Sequence, residues 1–550
     1  MEERLLCPFH YFGVTDTVDL SEERFWSNGR YDSKELEAVY TGDDFRARQR
    51  LDLILKALAS YQPNLSETKG IGFCAGVVHA KYMAESFRAA GIPSEVLLGD
   101  TPSDIRQQRL RDFREGTTVF LFTVDVLSEG VDIPDINLVM FLRPTESLTV
   151  FLQQLGRGLR HAPGKDCLTV LDFVGQTHRR YRLDRKFSAL LSDGRMRLDK
   201  EVEQDFPSLP AGCNIQLERV ARDEVLRKIN AVLNDLNNFI PETIRTWESE
   251  SDQPLRFGSF VEETGLEATD VLRRKTWSEW KAEAFRELPP DDVNISDGRK
   301  ALSRIALRTD PVLLQAISKM PHQEAGTGID DARVGLALHY LFWGKKGSAI
   351  GVSSIGESIA KWDANPNLVS DAAEIANWRL SRASTVMPEI QLPSGHRLRL
   401  HAEYGSAEIK SLLDLATIDA SGSTGVGAFH SRENKFYVNL VTFQKEEQDF
   451  SPTTRYEDYP ISRTKLHWQS QSGTSQDSER GKGYIHFKER GYVVLFFARL
   501  KKRQGKETSP FVFLGPVSDL LSYEGDRPVS MVWELEHPMP AHLFDHARPA

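Results

Sequence analysis

Between residues 66 and 175 the hydrophobic pattern switches repeatedly between two kinds of segment. Short continuous apolar runs read as buried strands: GIGFCA from Gly70, SEVLLG from Ser94, TTVFLFTV from Thr117, INLVMFL from Ile136 and CLTVLDFV from Cys167. Between them, VVHAKYMAESFRAAG from Val77, SDIRQQRLRDFREG from Ser103 and SLTVFLQQLGRGLR from Ser147 carry apolar residues at helical spacing. The first two stop at a glycine, as helix C-caps do, and Ser103 is placed to cap the second. Strand–helix alternation of this kind predicts right-handed crossovers and a parallel, doubly wound α/β sheet.

The flanking patterns differ. Residues 1–65 open with an extended segment, LLCPFHYFGV, followed by a helical pattern from Phe45, and read as a lead-in to the sheet. Residues 176–385 lose the strand signal, and KEVEQDF, NIQLERVARDEVLRKINAVLNDLNNF and DARVGLALHYLFWGKK read as helices of a connector. Residues 386–550 turn β-rich and aromatic, with strands expected in HRLRLHAEY, KFYVNLVTF, GYVVLFFARL, SPFVFLG and VSMVWELE. SERGKG at Ser478–Gly483 reads as a charged loop.

Composition adds exclusions. The 550 residues are 40% hydrophobic and 27% charged, enough to bury a sizeable core and incompatible with whole-chain disorder. No run approaches the ~18 apolar residues of a membrane helix. The acidic opening MEERLLCPFHYFG does not resemble a signal peptide. A net charge of −10 means that any surface for nucleic acid is local. The four cysteines, at 7, 74, 167 and 213, lack C-x-x-C spacing and suit a reducing cytoplasm. Cys7 and His10 form the one metal-like pair and are read as structural.

Candidate chemistry concentrates in two places. QQLGRGLR, Gln153–Arg160, sets Arg157 and Arg160 three residues apart on one helical face, with Gly156 and Gly158 leaving room for close approach. Two guanidinium groups so placed can neutralise a phosphoryl group in transfer; a solvated basic helix end is the alternative. FTVDVLSEGVDIP, Phe122–Pro134, follows a strand and presents Thr123, Ser128, Gly130 and Asp132 at the carboxyl edge of the sheet, where ligands bind in such folds. Thr123 and its neighbours suit a nucleic-acid phosphate, and Asp132 a ribose hydroxyl or an arginine; a loop with a capping aspartate is the alternative.

In this order, the segments resemble the second RecA-like lobe of superfamily-two helicases. GIGFCAGVVHAKYMAESFRAAGI is similar to their motif IV, TVDVLSEGVDIP to motif V and QQLGRGLR to motif VI. The resemblance implies that Arg157 and Arg160 contact the γ-phosphate of ATP, with Gly130, Asp132, Gln153 and Gly156 around the nucleotide. It implies that Thr123 and Ser128 meet the nucleic-acid backbone. No G-x-x-x-x-G-K-[ST] and no Walker B segment stands in the sequence. ATP and Mg²⁺ are therefore expected only with a first-lobe partner, and the chain alone is expected to be inactive.

The start (LLCPFHYFGVTDTVDLS, then WSNGRYD) and the tail (TIDASGSTGVGAFHSRENKFYVNLVTF onward) resemble a bacterial restriction-type helicase group that carries a C-terminal domain of unknown function. That resemblance implies DNA as partner, a restriction or phage-defence setting, and a phospholipase-D-like nuclease among relatives. In the tail, HWQSQS reads as an exposed loop in which Trp468 could stack on a base while Gln469 and Gln471 bond base edges. Arg463, Lys465, Arg480, Lys482 and Lys488 are near enough in sequence to hold phosphates. A β-turn with Trp468 in the core is the alternative. Two functions follow: the distal part of an ATP-dependent DNA helicase or translocase, or a DNA-binding module without catalysis.

Overall fold

The computed structural model describes residues 6–27, 30–42, 45–124, 135–145, 147–178, 181–191, 198–207, 209–210, 212–250, 254–322, 331–382, 387–421, 427–445, 458–504 and 507–547. The chain forms two compact units, Met1–Leu236 and Asn237–Ala550. Their division near 236 falls between the expected boundaries at 175 and 385.

In the first unit the strands are β1 (Phe9–Thr15), β2 (Gly70–Phe73), β3 (Ser94–Leu97), β4 (Phe120–Thr123), β5 (Leu138–Phe141), β6 (Leu168–Val174) and β7 (Asn214–Leu217). The helices are α1 (Ser33–Thr41), α2 (Phe45–Tyr61), α3 (Val77–Ala89), α4 (Ser103–Glu115), α5 (Leu148–Gly158), α6 (Asp184–Leu190), α7 (Leu198–Glu203) and α8 (Arg219–Asn234). The sheet is parallel throughout, in the order β3-β4-β2-β5-β6-β1-β7. All residues of β2, β4, β5 and β6 are buried, because helices cover both faces of a parallel sheet. Alternate residues feed two cores: Phe141 joins Tyr11, Phe73 and Phe151 on one side, and Met140 joins Phe87, Phe120 and Phe122 on the other.

Two expectations change here. The extended start is not a free lead-in: β1 lies inside the sheet, pairing Phe9 with Leu168 on one side and His10 with Asn214 on the other. NIQL, expected as helix, is strand β7, since it completes the sheet beside β1. Tertiary pairing overrides the local helical pattern that begins two residues later.

The second unit opens with helices α9 (Leu236–Glu250), α10 (Phe257–Thr264), α11 (Ala268–Leu272), α12 (Trp277–Phe285), α13 (Ile295–Ala306), α14 (Pro311–Lys319), α15 (Ala332–Trp343), α16 (Gly347–Ile350), α17 (Ile355–Asp363) and α18 (Pro366–Ser381). Trp277, Trp280 and Trp362 are fully buried among them. Then come β8 (Glu403–Tyr404), α19 (Ser406–Leu412), β9 (Ala428–Ser431), β10 (Phe436–Thr442), β11 (Tyr459–Pro460), β12 (Lys465–Gln469), α20 (Glu479–Ile485), β13 (Val493–Arg499), β14 (Phe511–Glu524) and β15 (Ser530–Leu535). They build a mixed sheet in the order β9-β10-β13-β14-β15-β12-β11, with β8 on β14. SERGKG is not a loop. Ser478 caps α20, its hydroxyl accepting from the Gly481 N–H at 3.1 Å. Helices and sheet interlock within this unit: the Glu403 N–H donates to Thr309 Oγ1 at 2.8 Å, and Tyr404 hydrogen-bonds Asp310.

Candidate nucleotide and nucleic-acid sites

Helix α5 carries Arg157, and Arg160 stands two residues beyond its end, outside the helical face on which the pair was expected. The Ser147 hydroxyl accepts from the Val150 N–H and starts it, while Phe151 and Leu155 bury one face. Gln153 and Arg160 are exposed, and Gly156 and Arg157 are partly so. Gly158 is needed for packing: a β-carbon there would meet the Leu168 side chain at 2.6 Å. Nothing lies within 4 Å of a β-carbon at Gly156.

The end of α5 is stitched down by Cys7, far away in sequence, and by Lys165, close by. The Cys7 N–H donates to the Leu159 carbonyl at 2.7 Å, and Cys7 Sγ reaches the Gly158 carbonyl at 3.6 Å. The Lys165 ammonium donates to the Gly158 carbonyl and, at 2.9 Å, to the Arg160 carbonyl. Burial pushes the Cys7 thiol pKa up and the Lys165 pKa down. These supports escape sequence reasoning. Cys7 stands out there only as half of a metal-like pair with His10, and Lys165 only as part of a failed P-loop match. In the fold the His10 ring lies 3.9 Å from Cys167 Sγ.

Because Gly158 packs on the first residue of β6, and Cys7 leads directly into β1, Arg157 and Arg160 sit at the amino edge of the sheet. Thr123 closes β4 at the carboxyl edge. Among the described residues, Thr123 and the arginine pair therefore lie at opposite edges of the sheet. Thr123 is also fully buried, its hydroxyl without a hydrogen-bond partner among the described residues. A surface contact from it to a phosphate, expected above, is not what the fold presents, since both faces of β4 are covered. Ser128, Gly130 and Asp132 lie outside the described residues. The donor set at the end of α5 fits one side of a polyphosphate: it offers guanidinium groups and no cradle for the β-phosphate.

At the carboxyl edge a buried ion pair organises the lobe. Arg50 Nε meets Asp16 at 2.9 Å and Arg50 Nη2 donates to the Leu142 carbonyl at 2.9 Å, with Tyr40 stacked 3.9 Å from the guanidinium. Glu37 accepts from the Val78 N–H at 2.7 Å and thereby caps α3.

In the second unit Trp468 is buried, edge-on to Tyr484 and Phe496. The first half of HWQSQS, expected as an exposed loop, belongs to strand β12, whose alternation turns Leu466 and Trp468 into the core. Trp468 is a core residue, and its face does not stack on an incoming base. Gln469 and Gln471 are partly exposed; Gln471 Oε1 accepts from Arg480 at 2.9 Å. His467 stacks on Tyr459 and His430 on Tyr437, while His486 pairs with Glu489. Arg463 donates to the Met539 carbonyl and Lys488 pairs with Asp519.

The first unit is thus a parallel α/β lobe with G-R-x-x-R at the end of the crossover helix between β5 and β6. The sequence matches the helicase conserved C-terminal domain over residues 49–162, and a domain of unknown function, DUF3427, over residues 398–547. The chain thus joins a helicase C-terminal domain to a DUF3427 domain. A 51.5 kDa protein of a Lactococcus phage (isolate 7-9) is 29% identical over 178 residues, 32% of this chain and 37% of its own. A Schizosaccharomyces pombe protein named as a mitochondrial ATP-dependent helicase, irc3, is 39% identical over 127 residues, 23% of this chain and 20% of its own. Both relatives are thus covered over little more than a third of their length at most. Among solved structures, the ATP-dependent Type ISP restriction-modification enzyme LlaBIII bound to DNA is 12% identical, covering 72% of this chain and 28% of its own, with a TM-score of 0.28. Among the described residues no helix is long and apolar enough to cross a membrane.

Proposed function

We propose that this chain is the distal part of an ATP-dependent DNA helicase or translocase working in restriction or phage defence in the cytoplasm. The observation that carries the reading is α5, a helix of the helicase C-terminal domain whose last turn, with the residues just after it, sets Arg157 and Arg160 at one edge of a parallel sheet. ATP and Mg²⁺ would be cradled by a first RecA-like lobe, missing from this sequence or separate from it, and hydrolysis would supply the energy of translocation. Arg157 and Arg160 would then reach the γ-phosphate and neutralise charge as it develops. Cys7 and Lys165 hold the helix end that carries them. A phospholipase-D-like nuclease would act as a further partner.

The test is reconstitution. The chain alone hydrolyses no ATP; mixed with a P-loop-bearing first RecA-like lobe, it shows DNA-stimulated hydrolysis. Arg157→Ala and Arg160→Ala each lower that rate by ~10²-fold or more. Hydrolysis by the chain alone, or an unchanged rate in the Arg160→Ala mixture, overturns the reading.

A second reading, a DNA-binding module without catalysis, is favoured by the basic lining of a cavity in the second unit. Binding of plain and modified duplexes with no stimulated hydrolysis in any mixture would select it.

A further inference from the structure

The second unit holds a cavity of about 630 Å³ between α13, α15 and α19 and the sheet formed by β9, β10, β12, β13 and β14. That volume lies within the ~300–1,000 Å³ of small-molecule and cofactor sites. Six cationic side chains line it: Arg304, Arg308, Lys410, Lys445, Arg499 and Lys502. Three carboxylates oppose them, which leaves an excess of three positive charges among the described lining residues of a chain whose net charge is −10. The excess is therefore local and built into the site.

Two of the carboxylates are committed. Glu408 takes Arg308 through two bonds, and Asp458 takes Lys445 at 2.7 Å while accepting the Gln469 N–H. Even so, Arg308 Nη1, on a side chain only 4% exposed, has no partner among the described residues. Arg304 donates to the Leu341 and Phe342 carbonyls beside it. Burial, and then the neighbouring Arg308, pull its pKa down to about 10.

The rest of the wall is aromatic and amide. The Arg499 guanidinium lies 4.1 Å over Phe511 and the Lys410 ammonium 4.4 Å over Phe429. The edge of Trp468 and the side chains of Gln469 and Gln471 complete it. Guanidinium forks suit phosphate oxygens, and a wall of rings and amides suits a planar heterocycle with hydrogen-bonding edges.

We propose that this cavity binds a nucleotide unit, its phosphate on the cationic side chains and its base against the aromatic and amide wall. The shared chemistry covers a free mononucleotide and one nucleotide of a DNA strand. The site owes nothing to the arginine pair of α5.

The full chain is titrated calorimetrically with deoxyadenosine monophosphate, deoxycytidine monophosphate, inorganic phosphate and a twelve-nucleotide single strand. A mononucleotide binds saturably. Lys502→Gln, at a partly exposed position, and Lys410→Met each weaken it by about tenfold with the melting temperature of Lys502→Gln unchanged. Arg157→Ala/Arg160→Ala leaves the affinity as it was. Displacement of the mononucleotide by the strand assigns the cavity to nucleic acid; failure of displacement assigns it to a free nucleotide. No saturable binding, equal affinity for inorganic phosphate, or loss in the α5 double variant in place of Lys502→Gln overturns the proposal. The reconstituted ATPase does not enter these readouts, so the two readings can fail separately.

Discussion

The Arg308 guanidinium and the Glu408 carboxylate meet through two bonds, at 2.7 and 2.8 Å, with side chains 5% and 4% exposed. The pair joins residues one hundred positions apart, one just after α13 and one in α19. Removing either partner leaves a buried charge. Glu408→Ala is therefore expected to cost about 3–5 kcal/mol in the second unit. Urea unfolding followed by tryptophan fluorescence measures it, and a loss below about 1 kcal/mol contradicts the burial assigned to Arg308.

Gly156 and Gly158 should respond oppositely to the same change. Gly158→Ala drives a β-carbon into Leu168 and is expected to cost about 1–3 kcal/mol. Gly156→Ala meets nothing within 4 Å and gains helix propensity, about 0.5–1 kcal/mol. Melting temperatures of the two variants, shifted in opposite directions, are the readout.

Lys165 secures the last turn of α5 by bonding the Gly158 and Arg160 carbonyls. Lys165→Met removes a charge-assisted cap. Amide exchange across residues 155–160 should quicken by about tenfold, with β2 and β4 unchanged. Uniform acceleration across the sheet would show a global effect and remove Lys165 from its positioning role.

Asp371 predicts a pH dependence. It is 1% exposed, and burial pushes its pKa up to about 6, against two bonds donated by Ser278 at 2.9 and 2.6 Å and the nearby Lys281. Between pH ~4 and ~6 the folded chain holds a proton that the unfolded chain releases. The stabilisation is complete below pH ~4 and lost as pH rises through ~6. Asp371→Asn keeps both contacts with Ser278 and cannot ionise. Relative to the parent, it should gain roughly 2–3 kcal/mol between pH 4 and pH 7. Exchange protection in α12 and α18 at the two pH values checks this, and parallel pH profiles for parent and variant would refute it.

The elements of the first sheet were legible because parallel strands covered on both faces are written as unbroken apolar runs, and the helices between them as 3.6-residue periods. FLFT at Phe120–Thr123 and LVMF at Leu138–Phe141 are examples. Arg157 was legible as a helical residue, whereas Arg160, expected on the same helix, lies two residues past its end, where it bridges to Leu6. Thr123 was misjudged for the same local reason: its position after a strand is visible in sequence, while the helices that bury it are not.

By itself, the sequence determined the periodicities, the helix that carries Arg157, and the absence of a P-loop among its 550 residues. Only the tertiary structure decided that β1 lies between β6 and β7, that Cys7 and Lys165 hold the end of α5, that Trp468 is core, and that Arg308 shares a cavity wall with Arg499. The physical reason is common to all four. Local patterns record which face of an element avoids water, whereas pairing between elements is chosen by the whole chain as it buries those faces against one another.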